Sequence, residues 1–318
     1  MKNRRRAWKT FSRIGLGYGV FLLAPLLLQI EAGVLVVLLS QVGPAALVSE
    51  LGGFMEKVRT DFADWLIIGS SVITYGFGGL LTYLIVKDMP IYERREKKRA
   101  DWKMLAAAFF ISMCVLYFGN IIGQVLMMAV CTLLNKPMIN PVEEVIDGLS
   151  TWSVFTAMVV IAPVCEEFFY RKVLIDRIRQ YGDWTAIAAS AFVFGLSHGN
   201  FYQFFYAFGL GAVFAYVYLK TGRLRYTILF HALINFTGSV AVLYAMDHPW
   251  FMVLYAVFML GSVILGAVLF WRSRKKLVFE EGIERLRGLA AWNVILLNPG
   301  MVLFFLVSSA FFISSELL

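Results

Sequence analysis

Three short patterns put polar side chains where hydrocarbon would be expected: Glu166-Glu167 leading to Arg171, Phe194 leading to His198, and His231 leading to Asn235. Ionisable groups inside apolar runs cost a few kcal/mol on insertion scales, roughly 2.5 or more each, so they mark function by default. The two glutamates are neighbours, and on a helix their side chains diverge by about 100°. They cannot share one role. Arg171 lies four residues after Glu167, the favourable order for a helical ion pair. Glu167 is therefore expected to be structural and Glu166 to face the chemistry, against the simpler reading that both reach towards water with Arg171.

Two of the three histidines, His198 and His231, fall inside apolar runs, and His248 precedes Pro249 in a turn. A single such histidine is commonly a satisfied core group. Two of them, after a carboxylate, fit a glutamate and a histidine that hold and deprotonate one water. Asn235 shares a helix face with His231, and both could donate to one point as an oxyanion hole. Phe194, one turn before His198, can pack on its imidazole. Pro163 has no N–H, so a regular helix would leave the Val159 carbonyl unpaired and kink there, aiming Glu166 inwards.

Glu-Glu-x-x-x-Arg, Phe-x-x-x-His and His-x-x-x-Asn, in that order, resemble the motifs of the CPBP family of intramembrane proteases. That family includes CAAX prenyl endopeptidases of the Ras-converting type and bacterial relatives linked to bacteriocin processing or immunity. The resemblance covers about 152–240, and Tyr218-Leu-Lys-Thr-Gly ahead of His231 is similar to bacterial members. It implies a glutamic-type endopeptidase without a cofactor: Glu166 with His198 activates water, His231 and Asn235 stabilise the oxyanion, and Glu167, Arg171 and Phe194 support them. The substrate it implies is a membrane-associated or lipidated polypeptide.

Rival classes use the same residues. His198, His231 and a glutamate have ligand types suited to zinc, although the histidines lie on different predicted helices and no His-Glu-x-x-His run exists. Cys165 could be a thiol nucleophile, but nothing nearby in sequence would activate it. A non-enzymatic immunity or scaffold protein, or a proton-coupled transporter, would also use a buried polar cluster.

These residues need helices in lipid to hold them. Of the 318 residues, 60% are hydrophobic and 16% charged, with a mean hydropathy of +0.73. That balance points to an all-α, polytopic integral membrane bundle with the bilayer as partner. Net charge is +8, but the basic residues sit in short blocks between apolar runs, which fits cytoplasmic loops better than nucleic acid. Spans are expected near 14–48, 65–86, 104–134, from 151 to an exit at Arg171 with an amphipathic tail to Gln180, then 184–199, 201–219, 226–246, 250–271 and 289–313. That makes nine runs and an expected eight or nine transmembrane helices, about four of them forming the core.

The first run could be two crossings broken at Gln29-Ile30-Glu31. Two would force the basic loop 87–103 outside, so one crossing is expected, with an interfacial extension through 51–62. All Lys and Arg except Lys57, Arg59 and Lys136 then share the side of the N-terminus. The expected division is 1–150 for N-terminal helices, 151–246 for the protease-like core and 247–318 for C-terminal helices. The N-terminus and the mouth of the site are expected in the cytoplasm, at the plasma membrane in a bacterium, with the first run retained as an anchor. Cys114, Cys131 and Cys165 imply no disulfide framework.

Overall fold

The computed structural model describes residues 2–42, 61–92, 99–284 and 289–317, with Gly53, Lys57 and Leu286. Every regular element among them is helical. The first helix, α1, spans Lys2–Val42 without interruption at Gln29 to Glu31. Most of the extension expected over 51–62, and Arg94, Arg95, Lys97 and Lys98 of the basic loop, lie outside the described residues.

Then follow α2 (Ala63–Val86), α3 (Trp102–Leu134), the short α4 (Pro141–Ile146) and α5 (Thr151–Tyr181). Next come α6 (Asp183–Leu196), α7 (Phe201–Thr221), α8 (Leu224–Gly238), α9 (Val240–Asp247), α10 (Pro249–Ser273), α11 (Leu289–Leu296) and α12 (Pro299–Leu317). Among the described residues six stretches are long and apolar enough to cross a bilayer: α2, α3, α5, α7, α8 continued by α9, and α10 extended to Lys276. α6 and the apolar part of α12 are shorter.

Three expectations change. The last apolar run is two helices, broken where Asn298 turns back to accept from the Met301 N–H at 3.0 Å ahead of α12. α6 ends at Leu196, so His198 sits in the turn beyond the helix and not within it. α5 runs on past Arg171 to Tyr181, and its tail is not amphipathic. Its last turns, Leu174 to Ile178, are buried on every side. The Arg177 guanidinium donates to the Val86 carbonyl at the end of α2 at 2.8 Å, and the Tyr218 hydroxyl on α7 donates to Asp176 at 2.9 Å. Neighbouring helices cover the face that an amphipathic tail would have turned to water.

Helices in lipid gain little from hydrophobicity and associate through close packing of small residues. A Cβ on Gly119 of α3 would lie 2.5 Å from the Tyr206 backbone of α7. A Cβ on Gly15 of α1 would lie 2.3 Å from the backbone of Gly300 at the start of α12. Further along, Gly19 faces Phe304, so α12 runs parallel to α1 and carries Phe311 to Gly199, beside His198.

Candidate active site

The glutamates lie between two stretches of wider π-helical winding in α5, 155–161 and 168–173. Such stretches shift the hydrogen-bond register by one residue and re-aim side chains. In the first, the Ala162 N–H reaches back to the Ala157 carbonyl. The same register would pair residue 163 with the Met158 carbonyl, but residue 163 is proline. The carbonyl left without its helical donor is thus Met158 rather than the Val159 expected for regular winding. The Asn235 amide supplies the missing donor from α8, at 2.8 Å. In the second stretch, the Tyr18 hydroxyl donates to the Phe169 carbonyl at 2.6 Å and the Ser190 hydroxyl to the Tyr170 carbonyl at 2.8 Å.

Glu166 and Glu167 part as their neighbouring positions require. Glu167 is fully buried, with Arg171 Nε 3.0 Å from Oε2, Arg171 Nη2 donating to Oε1 at 3.2 Å, and His231 Nδ1 3.0 Å from Oε1. Arg171, also fully buried, donates to the Ser190 hydroxyl at 3.0 Å and stacks on Phe194 and Phe214. The result is a closed ionic core linking α5, α6, α7 and α8. Glu166 instead lines a cavity of about 250 Å³ together with His198. Its side chain is 16% exposed, while those of Glu167 and Arg171 are 0% exposed.

Phe194 organises both histidines and the arginine. Its ring meets His198 edge-on at 4.9 Å, as its spacing predicted, and also His231 at 5.8 Å and the Arg171 guanidinium at 4.8 Å. Its carbonyl lies 2.9 Å from His198 Nδ1. A carbonyl only accepts, so Nδ1 bears a hydrogen and the lone pair of a neutral ring is on Nε2. On His231 the same logic applies: Glu167 accepts from Nδ1, and Nε2 is turned to Glu166 Oε2 at 3.7 Å.

The residues do not all meet. Glu166 and His198 share the cavity, but His231 and Asn235 do not line it. His231 bridges the two glutamates, and Asn235 spends one amide hydrogen on Met158. Cys165 is partly buried beside Glu166 and carries no disulfide. Among the described residues no three His, Cys, Asp or Glu side chains are grouped to hold a metal ion.

One participant was invisible in sequence. The Tyr75 hydroxyl on α2 donates to Glu166 Oε1 at 2.5 Å across 91 residues of chain. Thr74-Tyr75-Gly76 is one more apolar stretch with no spacing tied to the glutamates. Phe21 of α1 and Phe311 of α12 also wall the cavity.

Residues 148–237 match the family described as type II CAAX prenyl endopeptidase Rce1-like. Among curated proteins, CAAX prenyl protease 2 of Homo sapiens is 29% identical over 123 residues, 32% of this chain and 37% of that protein. No solved structure matches. All three motifs fall inside the matched residues, together with the π-wound stretches and the buried Glu167–Arg171 pair that hold them. The stretch 148–237, which supplies the glutamates, both histidines and Asn235, is thus the segment of this chain that is similar to the Rce1-like family.

Proposed function

We propose that this protein is an intramembrane endopeptidase of the glutamic type that hydrolyses a peptide bond in a membrane-associated polypeptide. The observation that carries this reading is the division of the glutamates: Glu167 is locked between Arg171 and His231, while Glu166 shares a cavity with a histidine whose Nε2 is free to take a proton. The relative's name, a prenyl protease, favours a substrate with a lipid chain.

In this mechanism a water held between Glu166 and His198 attacks the scissile carbonyl carbon. Its proton passes to the Glu166–His198 pair as the C–O bond forms. Negative charge collects on the carbonyl oxygen, and His231 Nε2–H and the second hydrogen of the Asn235 amide are its donors. With Nδ1–H kept on Glu167, this role has both ring nitrogens of His231 carrying hydrogen. The C–N bond then breaks, and the proton held by the pair goes to the leaving amine. Neither His231 nor Asn235 lines the cavity, so in this mechanism α8 shifts slightly towards it while the other Asn235 hydrogen stays on Met158.

The basic residues favour a chain whose N-terminus and whose α5–α6 turn both face the cytoplasm, with the mouth of the site on that side. The test of function is peptide profiling of membranes carrying the wild-type chain or Glu166→Gln. Peptides that appear only with wild type support the proposal. Identical profiles from well-expressed proteins favour the transporter or immunity class.

A further inference from the structure

The carboxylate assigned to the chemistry is gripped by a residue from outside the Rce1-like segment. Tyr75 donates its single hydroxyl hydrogen to Glu166 Oε1, and Oε2 is left on the side of His231 Nε2. The terminal torsion of a glutamate is soft and broad. Without a fixed donor the two oxygens of Glu166 would exchange places in the cavity.

Tyr75 is itself built in. It sits in a π-wound stretch of α2, 74–78, that ends on Gly78 and is followed by Gly79. A Cβ on Gly79 would lie 2.1 Å from the Phe169 ring, and one on Gly78 would lie 3.1 Å from Ala24, so α2 is drawn against both α5 and α1. Just beyond, the Thr82 hydroxyl bridges the Gly78 and Gly17 carbonyls at 2.9 and 3.0 Å. The Phe21 ring packs 6.1 Å from the Tyr75 ring. A wound, glycine-flanked and hydroxyl-pinned segment is far more than a chance aromatic needs.

We propose that Tyr75 is a positioning residue for Glu166: it fixes Oε1 so that Oε2 is the oxygen that takes the proton from water. This rests on Glu166 being the base. The α2 helix then supplies part of the active site, and the Rce1-like segment is incomplete without it.

The test uses the full-length protein purified in detergent, with Tyr75→Phe, which keeps the ring and its packing on Phe21. Infrared difference spectra should contain a carboxylate band that Glu166→Gln abolishes, and Tyr75→Phe should shift that band. On a quenched-fluorescent peptide bearing a farnesyl chain, Tyr75→Phe should lower kcat by about 10- to 100-fold, the range for a lost hydrogen bond to a charged group. KM should stay within about twofold, and Tyr75→Phe should add nothing to Glu166→Gln, as for residues acting as one unit. An unshifted band overturns the proposal, whether or not the peptide is a substrate. Unchanged kcat, or equal further loss in the Glu166→Gln background, also overturns it. Full cleavage by Glu166→Gln would instead remove the glutamic mechanism, and the band would still decide whether Tyr75 grips Glu166.

Discussion

Neutralising the two adjacent glutamates in turn should produce opposite failures. In Glu166→Gln the amide oxygen can still accept from Tyr75, so only the difference between a charged and a neutral hydrogen bond is lost, about 1 kcal/mol. The base is gone, however, and turnover should fall by about 10²–10⁴-fold. In Glu167→Gln the Arg171 guanidinium stays fully buried without its counter-charge. Breaking such a pair costs about 3–5 kcal/mol. The amide keeps one acceptor oxygen, so the lower end, about 3 kcal/mol, applies. Set against a typical stability of about 5–15 kcal/mol, that is a large share. The assay pairs unfolding in mixed micelles with cleavage rate for wild type, Glu166→Gln, Glu167→Gln, Arg171→Met and Glu167→Gln/Arg171→Met. The double variant should cost less than its two singles together, because it strands no charge. Glu167→Gln as stable as wild type but inactive, with Glu166→Gln fully active, would refute the reasoning and exchange the roles of the two residues.

Asn235→Ala should lower turnover by about 10²–10³-fold, the usual cost of one oxyanion donor. It should also destabilise by about 1–3 kcal/mol, since the Met158 carbonyl would lose its donor, and paired turnover and unfolding measurements separate the two. His198→Ala should resemble Glu166→Gln in rate, and the double variant should be little worse than either single, as kinetics of all three will read. Reporters fused after Gln180 and after Trp271 should read cytoplasmic and one after Asp247 should read the far side; a cytoplasmic signal at Asp247 would reverse α8 and α9. Exhaustive chelation should leave cleavage unchanged, whereas loss with recovery on added zinc would favour the metalloprotease reading.

The sequence by itself determined what local chemistry dictates. Hydropathy required helices in lipid, and the adjacency of Glu166 and Glu167 required them to diverge. The four-residue spacing required Arg171 to meet Glu167, because three or four residues bring side chains onto one face of a helix, and Phe194 meets His198 although the helix ends at Leu196. Proline at 163 announced an unpaired carbonyl. Which carbonyl that was, and that Asn235 would cap it, depended on π winding set by packing against α8. Burial of Arg171 and the turns after it could not be read from their charges, since the partners that offset the cost, Ser190, Phe194, Phe214 and the end of α2, come from other helices. The break at Asn298 depended on where α1 receives α12. Tyr75 was beyond reach for the same reason. A hydroxyl in an apolar run acquires its meaning only when a close helix crossing brings it to a carboxylate distant in the chain, and such crossings are decided by tertiary packing.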